Sequence, residues 1–295
     1  MTFSREGCAL SELIANQKRH KILGFLLTLK RLANDCLRII IVMLVLCANK
    51  AEAEILFYYY NPDSPQNNLS IVKSAFDSAL TSISGSLDQQ ITFQPFSRLS
   101  DFDAQVRKKQ PAIIYIPNWY LKSFGNELNI RPFLYSIRQG KSSYRKQLII
   151  NRKNPGNIIQ LQHKTMAMTT MGPQSQNILN RIIFTQHRLT ASNLSIVDVP
   201  KDTDAIFAVA LGQVDSALVA SFNLSKLQQI NPRLTAAVYT AAESKPILLP
   251  VLCYIKGTIS QGDLQLIKQQ FMHAAQPEQK SLLEILHIDA WRPQL

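Results

Sequence analysis

The chain has 295 residues, 46% of them hydrophobic and 18% charged, which excludes a disordered polypeptide and leaves room for one large domain or two small ones. Its formal net charge is +12, but eight of the basic and four of the acidic residues lie before Glu54, leaving 24 basic against 16 acidic residues, about +8, beyond it. These charges are scattered, and the densest cluster, Arg145, Lys146, Arg152 and Lys153, reads as a solvated basic surface rather than a nucleic-acid or membrane-binding patch. Of four cysteines only Cys253 follows residue 53, so no internal disulfide and no metal-ligand spacing is available there, and its apolar surroundings make it a small core residue.

The first element is an export signal. Ile39 to Ala48 is a run of about ten apolar residues after Lys30, Arg31 and Arg38. A membrane-spanning helix needs roughly 20. Ala51-Glu52-Ala53 supplies small residues at the two positions a signal peptidase reads, so cleavage is expected before Glu54 and residues 1–53 are a signal peptide. The basic region ahead of the apolar run is unusually long, which points to a downstream start codon or a retained anchor as the alternatives.

Beyond Glu54, strand-like and helical patterns alternate. Ile55–Tyr60 is a strand ending at Asn61-Pro62, Leu69–Ile83 repeats apolar residues at helical spacing, and Ile91–Phe93 is a short strand. Leu99–Lys109 is a helix with Ser100 as its N-cap, and Ala112–Ile116 is a buried strand stopped by Pro117. Phe133–Ile137 and Gln147–Asn151 read as two strands joined by a turn at Gln139-Gly140-Lys141. A second α/β series follows: strand Thr165–Thr170, a helix from Gly172-Pro173 to about Gln186, strand Leu194–Val199, helix Asp202–Leu211 capped by Gly212, strand Asp215–Val219 and a helix to about Gln229. Strands Thr235–Tyr239 and Ile247–Ile255 and helices Asp263–Ala274 and Gln279–Leu286 complete the chain. Parallel strands need helical crossovers. The pattern therefore predicts an α/β protein of two lobes, each a mostly parallel sheet flanked by helices: 54–138, 139–257, and helices in 258–295 returning to the first lobe.

The stretch Asp204-Ala-Ile-Phe-Ala-Val-Ala-Leu-Gly-Gln-Val-Asp-Ser-Ala-Leu-Val219, then Asn231-Pro-Arg-Leu, Ala242-Glu-Ser-Lys-Pro246 and the ending Leu283 to Trp291, resembles periplasmic solute-binding proteins of the phosphate, phosphite and phosphonate type, which have a type II periplasmic-binding fold. Upstream, Arg131-Pro-Phe-Leu and Gly140-Lys-Ser-Ser-Tyr-Arg145 resemble the start of that family's second lobe. The resemblance implies a periplasmic, non-catalytic monomer without cofactor that holds a small polar solute, such as an anion of phosphonate type, between its lobes. It implies an ABC permease as partner. A membrane sensor, or a sensing or interaction role on the same fold with no transport partner, is the alternative.

Ligands of open α/β sheets bind beyond the carboxyl ends of the strands. The resemblance, together with that rule, implies the candidate ligand residues: Tyr60 and Asn61 after the first strand, Arg98 after the second, Trp119 and Tyr120 after the third, and Thr170, Gln174, Ser175 and Gln176 after the first strand of the second lobe. Family members that bind oxyanions carry a Ser/Thr-rich turn at this last place. Thr169-Thr-Met-Gly-Pro-Gln-Ser-Gln-Asn177 lacks it, leaving either a polar anion pocket or an ordinary helix start. Asp215 is a turn carboxylate or a ligand-facing one. No catalytic motif occurs: Gly-x-Ser-x-Gly, His-Glu-x-x-His and the phosphate-cradling glycine loop are all absent.

Overall fold

The computed structural model describes residues 54–64, 68–87, 89–153, 157–273 and 277–293. The expected signal segment lies outside these residues. In chain order the strands are β1 (Ile55–Tyr60), β2 (Ile91–Phe96), β3 (Ile113–Ile116), β4 (Ile130–Ile137), β5 (Ser143–Tyr144), β6 (Lys146–Asn151) and β7 (Thr165–Thr169). They continue with β8 (Ser195–Val199), β9 (Ser216–Ala220), β10 (Val238–Glu243), β11 (Ile247–Leu248), β12 (Val251–Ile255) and β13 (Ala290–Arg292). A six-stranded sheet has the order β13-β4-β12-β3-β1-β2, a five-stranded sheet the order β10-β6-β9-β7-β8, and β5 pairs with β11.

Both large sheets are mixed, not mostly parallel. β1 runs parallel to β2 and β3, and β7 parallel to β8 and β9. These are the strands joined by crossover segments, including helices Leu69–Ser84, Leu99–Lys109 and Asp202–Ala210. The remaining pairs, β12 with β3 and β4, β13 with β4, and β6 with β9 and β10, are antiparallel.

Two sequence expectations change here. Phe133–Ile137 and Gln147–Asn151 lie in different sheets, although the turn is present: the backbones of Arg138 and Lys141 exchange hydrogen bonds of 2.8 and 2.9 Å. The run Ile247–Ile255 breaks at Leu249-Pro250, because Pro250 has no N–H to continue a ladder. Its second half, β12, hydrogen-bonds in the six-stranded sheet, whereas the sequence reading carried the second lobe to residue 257.

Smaller differences concern helix ends. The helix at Leu99 starts one residue before Ser100, with Arg98 at the cap position and no side-chain cap bond. The helix expected from Gly172 to Gln186 is a five-residue α-helix, Ser175–Leu179, that widens into a π-turn over Asn180–Phe184 and tightens into a 3-10 turn over Thr185–His187. Gly212 ends the helix Asp202–Ala210 at φ +74°, as its position predicts.

Strand alternation sorts the core. Phe57 and Tyr59 face one side of β1, with Phe76, Phe93 and the C-terminal helices, and the Phe76 and Phe93 rings stack at 4.2 Å. Tyr58 and Tyr60 face the other side. They join a cluster that also contains Leu148, Ile150, Met166 and Met168 from the five-stranded sheet, so one apolar core runs through both sheets. Cys253 is fully buried in this cluster, and burial pushes its thiol well above the usual range.

Candidate functional site

The carboxyl-end edge of the five-stranded sheet carries a buried charged group. Lys146 opens β6 beside Ala220, the last residue of β9, and Thr169 closes β7. Strand phase puts Lys146 on the same face as Leu148 and Ile150, so its side chain points into the core and is 1% exposed. It is therefore not part of a solvated surface cluster. A buried ammonium requires an opposite charge. Asp63, three residues past β1 of the other sheet, supplies it: Lys146 Nζ donates to Asp63 Oδ1 at 2.8 Å and to Thr169 Oγ1 at 2.9 Å. Thr169 Oγ1 in turn donates to Asp63 Oδ1 at 2.6 Å, and the Tyr144 hydroxyl donates to Asp63 Oδ2.

A second carboxylate sits behind this pair. Asp202 Oδ1 lies 4.0 Å from Lys146 Nζ, and Asp202 Oδ2 accepts from the Ala220 N–H at 2.7 Å and from Asn223 Nδ2 at 2.8 Å. The two acids titrate oppositely. Burial pushes Asp63 up, but the charge of Lys146 and the bonds from Lys146, Thr169 and Tyr144 outweigh it and hold the group below its ordinary range. For Asp202, burial together with the charge of Asp63 exceeds what Lys146, Ala220 and Asn223 offer, and its carboxyl is pushed up to about 6. Lys146 is disfavoured as a cation by burial, yet the two acids hold it above its ordinary value.

A chamber of about 310 Å³ opens next to the turn after β7. Its apolar wall is Trp119, Met171, Ile178, Ile182, Ile247 and Leu248, and its polar groups include Asn118 and Gln174. Among the described residues three exposed cations, Lys122, Arg181 and Lys245, line it together, and no acidic side chain does. Trp119 seats on Gly172: a Cβ added to that glycine would stand 2.4 Å from Trp119 Cζ3. Gly172 also has φ +78°. Gly172→Ala is thus expected to lose about 1–3 kcal/mol of stability. Urea denaturation checks this, and an unchanged midpoint would show that the indole is not held against the turn.

The structure divides the predicted residues into groups. Trp119 and Gln174 meet in the chamber. Tyr60 and Asn61 line a separate cavity of about 170 Å³ with Pro200 and Lys201. The Tyr60 ring is buried, stacks on Phe102 at 5.3 Å, and its hydroxyl is raised by burial and by Asp63 and Asp198. Tyr120 lies outside the chamber lining; its ring packs on Phe102 and Phe124 and its hydroxyl donates to Asp103 at 2.7 Å. Arg98 is exposed at the start of its helix. Thr170 Oγ1 accepts from the Gly172 N–H at 3.2 Å, and the Ser175 N–H donates to the Gly172 carbonyl at 3.0 Å. Two donors of this turn are thereby used internally, and Gln176 is exposed. Asp215 sits at the opposite end of β9 from Ala220, where its carboxylate accepts from the Thr165 N–H at 2.8 Å and hydroxyl at 2.7 Å. Burial raises that carboxyl, and these bonds outweigh it and leave it lowered. It is a turn carboxylate, away from the chamber.

Sequence reasoning missed Asp63, Lys146, Thr169 and Asp202. Two of them had a signal. Lys146 is in phase with the apolar face of its strand, and Asp202 precedes Ala205, Ile206 and Val209, the buried stripe of its helix. Among the described residues no group of three or more His, Cys, Asp or Glu is arranged to hold a metal ion, and no helix is long and apolar enough to cross a membrane.

Two sheets with opposed carboxyl ends and a chamber beside them define a two-lobed α/β binding fold. The family model for the phosphonate periplasmic substrate-binding protein of ABC transporters matches residues 64–294, and the chain belongs to that family. Solved structures share the fold. A binding-protein component of an ABC phosphonate transporter from Pseudomonas aeruginosa superposes with a TM-score of 0.66 at 16% identity, over 82% of each chain. PhnD1 from Prochlorococcus marinus, in complex with methylphosphonate, gives 0.66 at 11% identity over 82% of this chain and 93% of that one. The aliphatic sulphonate binding protein SsuA from Escherichia coli gives 0.51 at 10% identity over 80% and 79%. No curated protein matches the sequence.

Proposed function

We propose that this protein is an exported binding protein, cleaved before Glu54, which carries a small organic anion to an ABC permease. Its lobes are 54–138 with 249–295, and 139–248. The observation that carries the ligand class is the chamber beside Trp119, whose described lining has three cations, an apolar wall and no carboxylate. A volume of about 310 Å³ suits a compact solute, at the lower end of small-molecule sites. The apolar wall favours a head group of phosphonate or sulfonate type bearing a short hydrocarbon part, and the exposed cations steer it inward. The sensing alternative is favoured by one feature, the Asp63–Lys146 pair, which ties the two sheets together without a solute.

A melting-temperature screen tests the reading. Alkylphosphonates and alkylsulfonates are expected to stabilise the protein, by about 2.7 kcal/mol at one hundred times Kd. Amines and amino acids are not. Lys245→Glu should weaken the shift at least tenfold in ligand concentration. Absence of any shift with these anions at tens of millimolar, or a shift indifferent to Lys245→Glu, would reject the chamber as the solute site.

A further inference from the structure

We propose that Asp63 is a built-in anion that occupies a preformed anion seat at Lys146 and determines specificity by excluding a solute anion from that seat. Among the described residues, the three donors that converge on its carboxylate all come from the stretch 144–169: Lys146 Nζ at 2.8 Å and Thr169 Oγ1 at 2.6 Å to Oδ1, and the Tyr144 hydroxyl to Oδ2. The carboxylate itself comes from the loop after β1, in the other sheet. Donor and acceptor thus meet across the two halves of the molecule, as a bound solute would meet its binding protein.

The seat is held independently of Asp63. The Lys146 N–H donates to Ser244 Oγ at 2.9 Å and its carbonyl accepts from the Ser244 N–H at 2.8 Å. Lys146 and Thr169 lie in β6 and β7 of one sheet, the two strands that flank and pair with β9, and both are 0% exposed. Asp202 does not substitute for Asp63. Its nearer oxygen is 4.0 Å from Nζ, and its other oxygen is engaged by Ala220 and Asn223. Removing the Asp63 side chain would therefore leave a buried ammonium, a hydroxyl and a phenol facing a space of carboxylate size. A free anion of that size should enter it. With Asp63 in place the seat is full, and a solute anion is left with the chamber beside Trp119. That last consequence rests on the proposed function; the seat itself does not.

The test is chemical rescue in the full-length chain. Asp63→Ala is expected to melt below the wild type, and sodium formate at tens of millimolar to restore at least half of the lost melting temperature, beyond the effect of equal sodium chloride. Wild type should show no such response, nor should Asp63→Ala combined with Lys146→Met. Asp63→Asn, whose amide fills the space, should also fail to respond. If Asp63→Ala does not fold in buffer alone, refolding yield in formate against chloride gives the same readout. A formate response no larger than that of wild type, or one that survives loss of Lys146, overturns the proposal. Failure of the phosphonate and sulfonate screen would leave this rescue untouched, so the two readings fail separately.

Discussion

Replacing Lys146 by Met is expected to destabilise the protein by about 3–5 kcal/mol at pH 8, the usual consequence of removing one partner from a buried ion pair. The methionine fills the stem's volume, so the loss reports charge. Asp63 and Asp202 would then share a dry site with no cation, and both carboxyls would move up. In the wild type Asp202 already titrates at about 6, above the 3.8 of an ordinary aspartate. Its protonated form favours the folded state, so this contribution is complete below pH 3.8 and is lost as pH rises towards 6. Asp63 behaves oppositely: its depressed pKa contributes stability above 3.8 that is lost as pH falls through the folded value. Without Lys146 the Asp63 contribution disappears and the penalty for ionising both acids grows. The deficit of Lys146→Met should therefore be smaller at pH 5 than at pH 8. Urea denaturation at the two pH values measures it; a loss below about 1 kcal/mol at pH 8 would refute a buried ammonium. Among the described residues the groups facing Asp202 are Lys146, Asp63, Tyr144, Thr169, Asn223 and the Ala220 N–H, and Lys146 is the one cation among them.

Trp119→Ala should be of similar size, about 3–5 kcal/mol for a large buried aromatic. The indole is 9% exposed, lies edge-on to Tyr60 at 6.4 Å and to Tyr120 at 5.9 Å, and covers Gly172 of the other sheet's loop. It therefore acts on stability and on the chamber together. Solute affinity is expected to fall at least tenfold, read by calorimetry with whichever anion the screen identifies. A double-mutant cycle sharpens the point. The clash that penalises Gly172→Ala disappears when the indole is gone, so its cost should shrink in the Trp119→Ala background, leaving only the strain of the positive φ. Additive losses would place Trp119 away from the turn.

The two-lobed α/β class, nearly every strand from β1 to β9 and the positions after them were readable from the sequence, because a buried strand declares itself through local apolar runs and a crossover helix through its spacing. Trp119 and Gln174, which line the chamber, were picked out by the family resemblance together with the rule that ligands gather beyond strand carboxyl ends. Pairing was not readable. Whether β6 continues a hairpin with β4 or crosses to another sheet, and whether β12 belongs with β11 or with β3, depends on hydrogen bonds between residues far apart in the chain. The partners of Tyr120 and Asp215 show the same limit on a smaller scale: their polar atoms pair with Asp103 and Thr165, 17 and 50 positions earlier in the chain.

Lys146 marks the boundary most clearly. Its number of charges, its strand and even its inward phase are properties of the local sequence. That its ammonium meets Asp63, 83 positions earlier, and Asp202, 56 positions later, is not. A charge can be buried only where its partners are brought to it, and bringing them together is what the tertiary fold does.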